Sequence, residues 1–371
     1  MLDKGRISSV QLLFLLAIAE LATAFLLVPA ITSKTAGPDG WLSLLIPATI
    51  YASAVAAACV ALGKRFPDQV FNEYLPEVIG LIPGKLLAAI YTGILIHITS
   101  VMIIEGAQFI QSNFLTETPV LVLQLVLVIV AVYGSYLGIE VIARHNELVF
   151  PIFILSLSTL IVLVAKDIKL QNFLPVLGNG VVPLLKGAMV PGVWRGEVFV
   201  ILWLYPYLNR KEEAYQAALG TVLLATLLVT IVVAVTVGVF GDLYTSRLVY
   251  PVNVLARYIS VANILERLEL FIVIIWVAGV IVKLAVFFHT AGIAAASTLG
   301  LTNYRGMLLP VALAAMIVGN IFYGTYVQVV DFLSQVWPFY GSTIELLIPA
   351  SILLIAVIRK KGVHGPAAKK S

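Results

Sequence analysis

Apolar residues run through this chain in long uninterrupted blocks, without the alternation of a half-buried strand and without a polar face on a helical repeat. Ten blocks fall at 8–32, 40–62, 85–112, 119–137, 147–165, 183–207, 214–240, 267–289, 306–323 and 338–358. A bilayer core of about 30 Å is crossed by about 20 helical residues, and helices satisfy their own backbone polar groups in lipid. The blocks therefore predict an all-α integral membrane protein with ten transmembrane helices, spans 1 to 10. Breaks such as Thr35-Ala36-Gly37-Pro38-Asp39-Gly40, Gly63-Lys64-Arg65-Phe66-Pro67-Asp68 and Asn209-Arg210-Lys211-Glu212-Glu213 punctuate them. No loop is long enough for a soluble catalytic domain. The expected organisation is a single membrane domain, 1–371, ending in a basic cytoplasmic tail at 359–371.

Composition removes the soluble alternatives. Apolar residues make up 61% of the 371 positions and charged residues 11%, against about 45–50% and about 25% in soluble domains. Mean hydropathy is +1.05. Lys4 and Arg6 precede an apolar run containing Ala22-Thr23-Ala24, which has the look of a cleaved signal. The run continues through Ile31 and further spans follow, so span 1 is expected to be retained. The single cysteine, Cys59, excludes an internal disulfide, and the four scattered histidines suggest no metal cluster. No catalytic triad, phosphate loop or metal spacing is present, so no enzymatic activity, cofactor or metal is expected. Basic residues flank the apolar blocks without forming an aromatic-interleaved patch, and no nucleic acid is expected. With ten spans both termini share a side, and that side holds 14 of the 23 basic residues while the opposite loops hold 5. This asymmetry predicts cytoplasmic termini.

The two halves read as copies. A shift of 177 carries Glu20 onto Glu197 and Pro29 onto Pro206, and brings Glu105 within one residue of Lys283. It also aligns the two long connectors, 63–84 with its amphipathic piece 71–79, and 241–266 with its half-apolar piece 248–255. An odd number of spans per half inverts the second copy, giving a five-plus-five inverted repeat, 8–165 and 183–358. Spans 1 and 6 are then expected to be interrupted in mid-membrane, where freed backbone and helix ends bind substrate.

Span 6 carries Gly187, Pro191, Gly192 and Gly196 within ten residues, and a break is expected over Pro191 to Glu197. Trp194, Arg195, Gly196 and Glu197 would then offer a stacking face, two charges and open backbone to a small ligand. In span 1, Glu20 and Thr23 are the matching candidates, because a carboxylate at that depth is costly unless paired, protonated or hydrated. Glu105 and Lys283 are the other deep charges and are expected to pair near the central cavity. His97 reads as a hydrogen-bonded bundle residue or a proton relay, Glu345 as a further buried acid, and Glu266-Arg267-Leu268-Glu269 as an interfacial cluster.

Several segments together resemble one family, the spore germination permeases, which are the B-type subunits of endospore nutrient germinant receptors. The segments are Ile7-Ser8 through Gln11 with Pro29, Gly196-Glu197 through Tyr205-Pro206, Glu266 to Phe271 through Trp276 and Lys283, and Arg359-Lys360-Lys361. That family is similar in turn to the amino acid, polyamine and organocation transporters, whose LeuT-like fold is the five-plus-five repeat with discontinuous helices 1 and 6. The resemblance implies binding of a small nutrient, typically an amino acid, between spans 1, 3, 6, 8 and 10. It further implies the inner membrane of a spore-forming bacterium and A-type and C-type partner subunits. Lys283 would be the one lysine able to stand in for a bound sodium ion. A proton-coupled amino acid permease, and an ion or water channel, use the same helices and are the alternatives.

Overall fold

The computed structural model describes residues 2–259 and 268–362, and the side chains of all of these except 268–272. Glu266 and Arg267, the side chain of Glu269 and the tail beyond residue 362 lie outside the described residues. The apolar blocks are helices throughout. Spans 1 and 2 share one helical stretch, Ser9–Arg65, and eight further helices are long and apolar enough to cross a membrane, among the described residues. Span 1 is Ser9–Ala36, opened by a capping box in which Ser8 Oγ accepts from the Gln11 amide at 3.1 Å and Gln11 returns the bond to the Ser8 amide at 2.9 Å. Span 2 passes through a π-helical turn, Leu44–Ala48, that takes up Pro47, and continues as Thr49–Arg65. Spans 3, 4 and 5 are Leu81–Asn113, Val120–Leu137 and Ile139–Val164. Spans 7, 8 and 9 are Ala214–Phe240, Leu268–Thr298 and Arg305–Phe322.

Two boundaries differ from expectation for one reason. Span 5 begins at Ile139 rather than 147, and span 10 at Tyr326 rather than 338. Both extensions carry their charges on the exposed side only. Arg144 and Glu147 face out while Ile142, Ala143 and Asn146 are buried, and Arg144 pairs with Glu140 one turn earlier at 2.5 Å. A helix end that presents its charges to water has the hydropathy of a loop.

The two connectors form short helices that do not cross, Phe71–Ile79 and Pro251–Tyr258. Asn72 pins the first by donating to the Ala88 carbonyl at 2.9 Å and Thr298 Oγ1 at 2.8 Å, while accepting from the Trp203 indole at 2.9 Å. Asn253 pins the second to Asn113 at 2.8 Å. Thr49 and Thr226, separated by the 177-residue shift, touch through their hydroxyls at 2.8 Å. By that shift the two would be repeat equivalents, which meet only beside the axis relating the copies; spans 2 and 7 pack together at this contact.

The N-terminal strap is tied across one face. Ile7 donates to the Tyr207 carbonyl at 3.0 Å and accepts from Asn209 at 2.9 Å, Arg6 donates to the Pro206 carbonyl at 2.8 Å, and Asp3 accepts from the Ile139 amide at 3.0 Å. On the same face Arg65 donates to the Lys361 carbonyl at 2.8 Å and Lys211 pairs with Asp68 at 2.6 Å. Both ends of the described chain therefore share one side of the bundle.

The two expected interruptions take a milder form. Span 1 remains helical through Glu20, because its middle holds Ala17, Ala19, Ala22 and Ala24 and no glycine. Span 6 changes pitch instead of opening: it is α-helical over Val181–Gly196 and tightens to a 3-10 helix over Glu197–Val200. It then runs through Ile201–Leu204 to Tyr205–Tyr207. None of Gly187, Gly192 and Gly196 adopts positive φ. Their role is contact: a Cβ on Gly187 would meet Ala36 at 2.8 Å, and one on Gly196 would meet a Glu345 oxygen at 2.0 Å. Lipid supplies no hydrophobic drive between helices, so close approach of this kind is what holds them.

Candidate functional site

A cavity lies inside the bundle where spans 1, 3, 6 and 10 meet. Span 1 contributes Thr23, and span 3 contributes Ile98, Val101, Met102 and Glu105. Trp194 and Glu197 come from span 6, and Phe332, Leu333 and Trp337 from span 10. About 10 Å³ is open to the centre of a water-sized sphere, room for roughly one water. Span 6 reaches this point with Trp194 and Glu197 on the same wall because they are three residues apart, about one helical turn.

Behind that wall sits the buried ion pair. Lys283 of span 8 donates to Glu197 Oε2 at 2.7 Å and to Thr23 Oγ1 at 2.9 Å, and the Lys283 and Glu197 side chains are 0% and 2% exposed. One ammonium thus joins span 8 to both spans 1 and 6. A Trp276 indole, also from span 8, donates to the mid-helix carbonyl of Ala22. The expected partner of Lys283, Glu105, lies on the cavity wall, and its Oε1 has no hydrogen-bond partner among the described residues. Glu197 is one helical turn from Trp194 and wins the lysine.

The other sequence candidates face elsewhere. Arg195, one residue from Trp194, turns to the opposite side of span 6. It donates to the Leu44 carbonyl at 2.8 Å, to Thr49 Oγ1 at 3.1 Å and to Thr226 Oγ1. Its guanidinium thus binds both members of the axial threonine pair and the π-turn of span 2. Glu20 is 1% exposed, both its oxygens lack a hydrogen-bond partner among the described residues, and Arg195, Glu197 and Lys283 are charges acting on it. Gly196 packs on Glu345. His97 is held between two phenols, Tyr323 at 2.7 Å and Tyr340 at 3.2 Å, with the Phe332 ring at 5.2 Å.

Arg195→Lys should lower thermal stability while leaving the cavity's ligand selectivity unchanged. Lysine cannot reproduce the planar fork that meets one carbonyl and two hydroxyls, and each charged hydrogen bond lost costs about 1.5–3 kcal/mol. Thermal unfolding of the detergent-solubilised variant measures this; an unshifted midpoint would show the fork to be dispensable.

Phe332, Leu333 and Trp337 were absent from the sequence candidates. The segment looked like a loop because Gln328, Asp331, Ser334 and Gln335 interrupt it. It is helical with a π-turn, Phe332–Val336, and the clustering of Phe332, Trp337, Phe339 and Tyr340 was the available signal. Leu333 also closes a second cavity of about 180 Å³ lined by Leu27, Ile31, Lys34 and Tyr326. A third, of about 680 Å³, adjoins it through Ile31, Lys34 and Val330 and carries Lys186 and Asp331. Leu333 thus stands between the inner cavity and larger spaces near the ends of spans 1 and 10 remote from the N-terminal strap.

The family profile of the spore germination proteins, the spore permeases, matches residues 6–326. The chain belongs to that family. Among curated members, spore germination protein KB of Bacillus subtilis (strain 168) is 23% identical over 97% of this chain and 97% of its own length. The putative spore germination protein YfkT of the same strain is 26% identical over 98% and 99%. Spore germination protein XB of Bacillus anthracis is 26% identical over 67% and 69%. The fold matches two solved transporter structures. MhsT in complex with L-phenylalanine superposes with a TM-score of 0.70 at 13% identity, over 96% of this chain and 90% of that one. Mhp1, a nucleobase-cation-symport-1 family transporter with bromovinylhydantoin bound, gives 0.57 at 11%, over 95% and 90%. This spore permease is thus an integral membrane protein of the LeuT-like transporter fold, in a family of germinant-sensing or transporter proteins.

Proposed function

We propose that the protein senses a small nutrient, an amino acid, in the cavity between spans 1, 3, 6 and 10, with Lys283 of span 8 as the element that reports occupancy. One observation carries this reading: two residues of the cavity wall, Thr23 and Glu197, are held from behind by a buried lysine that ties span 8 to spans 1 and 6. The space beside it takes roughly one water, so a ligand enters only as the walls separate. Binding then favours the separated arrangement over the closed one, which is a shift of populations paid for by ligand contacts.

The lining suits an amino acid. Glu105 and Glu197 offer acceptors for an ammonium group, Thr23 a hydroxyl, and Trp194, Phe332 and Trp337 an aromatic surface. The solved neighbours, which bind L-phenylalanine and a hydantoin, support a small organic ligand. The basic-residue asymmetry supports cytoplasmic termini, and the outer cavities then lie toward the opposite side. Family membership supports A-type and C-type receptor subunits as partners in the inner membrane of a spore. With its ammonium between spans 1 and 8, Lys283 supplies a fixed cation there, and ligand binding is expected to be unchanged when choline replaces sodium.

Saturable binding of radiolabelled amino acids to the protein in lipid nanodiscs tests the site. Glu197→Gln should weaken the bound amino acid at least tenfold, about 1.4 kcal/mol, and an unaltered isotherm would move the site elsewhere. A second reading, a proton-coupled permease, is favoured by the unpartnered buried acids Glu20 and Glu105. Proteoliposomes separate the two: accumulation of labelled amino acid driven by a proton gradient supports the permease, and binding without flux supports the sensor.

A further inference from the structure

Span 10 carries a carboxylic acid outside the lining of the ligand cavity. Glu345 is fully buried in the π-helical turn Thr343–Leu347. Its Oε2 accepts from the Tyr51 hydroxyl at 3.2 Å, and the same oxygen lies where a Cβ on Gly196 would be, 2.0 Å away. The carboxyl therefore rests directly on the backbone of span 6, one residue before Glu197. Its other oxygen, Oε1, is buried and has no hydrogen-bond partner among the described residues.

The charged groups facing it are Glu20 of span 1, Glu197 of span 6 and Lys283 of span 8. Two are acids, and the single cation is already bonded to Glu197 and Thr23. The nearby guanidinium of Arg195 is committed to Leu44 and the axial threonines. Facing it as neutral titratable groups are Tyr51 and Cys59 of span 2, Tyr340 of span 10 and Tyr91 of span 3, and the Tyr91 hydroxyl is spent on the Ile344 carbonyl at 2.7 Å. No cation is left for Glu345 among the described residues. An uncompensated carboxylate in such surroundings costs several kcal/mol, and a neutral acid far less. Each unpartnered buried oxygen also calls for an explanation, and Oε1 is the position a proton would occupy.

We propose that Glu345 is a proton-binding site, loaded while spans 6 and 10 are packed together and emptied when they part and water reaches Oε1. On release the carboxylic O–H bond breaks, the electron pair stays on Oε1 and the proton passes to water. Separation of span 10 from span 6 is thereby linked to proton release. The site itself stands independently of any nutrient; only its coupling to ligand rests on the function proposed above.

Infrared difference spectroscopy of the full-length protein in nanodiscs reads the acid directly and needs no ligand. At neutral pH the wild type should show a carboxylic-acid carbonyl band that moves in deuterium oxide, and Glu345→Gln should remove one component of it. Tyr51→Phe, which keeps the carboxyl but deletes its donor, should shift that component without removing it, and serves if Glu345→Gln does not fold. The proposal is overturned if the acid region is identical in wild type and Glu345→Gln. It is equally overturned if Tyr51→Phe leaves every acid component in place, or if replacing sodium by choline abolishes the difference, which would make the occupant a metal cation. Loss of amino acid binding with the band intact in wild type would refute the nutrient reading and leave the proton site standing.

Discussion

Lys283→Met removes the ammonium that ties span 8 to spans 1 and 6 and should lower stability by about 3–5 kcal/mol, the usual cost of removing one partner from a buried pair. The loss comes less from the missing attraction than from the Glu197 carboxylate left buried without its cation. Adding Glu197→Gln should therefore restore most of the stability, since neutralising the second partner removes the stranded charge. Nutrient response should not return, because the double variant has neither the clasp nor the carboxylate. Thermal unfolding of the four proteins of the cycle measures the coupling. A coupling energy below about 0.5 kcal/mol, the size expected of independent sites, would show that the pair does not hold the closed arrangement.

Gly196→Ala is the second large effect and acts through shape alone. The new methyl would fall 2.0 Å from Glu345 Oε2 and 3.0 Å from the Tyr51 ring, so the carboxyl must swing away within a packed interior to admit it. Glu345 is fully buried in span 10, and a Cβ on Gly341 in the same span would already lie 2.0 Å from Val193 Cγ1. Overpacking of this kind costs about 1–3 kcal/mol, and here it also pries span 10 from span 6, where the cavity closes. Shortening Glu345 to alanine in the same chain should recover the lost stability. Gly192→Ala is the control, because its methyl would find Ala48 at 3.6 Å, an ordinary contact. Equal melting temperatures for the Gly196→Ala and Gly192→Ala proteins would defeat the argument.

Gly196 also shows where linear reading of span 6 runs out. Three glycines and a proline within ten residues indicate a weak helix, yet the helix stays α-helical through all of them to Gly196 and tightens to 3-10 only beyond, at Glu197–Val200. What the spacing does not convey is that the glycines exist for neighbours: Ala36 and Ser43 at Gly187, and Glu345 at Gly196. Those neighbours come from spans 1, 2 and 10, distant in the chain, so composition read as backbone freedom where the fold uses it as clearance. Lys283 is similar. Its depth was plain from the apolar residues around it, but the choice of Glu197 over Glu105 depends on how spans 3, 6 and 8 are rotated about their axes.

The amino-acid sequence by itself determined that lipid is the main solvent, how many helices cross it, and where the charges too deep to be incidental lie. These follow from local rules: backbone in hydrocarbon must pair within its own helix, and ionisable groups there are too costly to be scattered. Only the tertiary structure decided which of those charges share a cavity, that Arg195 turns from it to bind spans 2 and 7, and that Phe332, Leu333 and Trp337 complete it. Inside a helix bundle that is apolar on every face, no polar stripe records which way each helix is turned. Facing is set by close contacts between residues far apart in the chain.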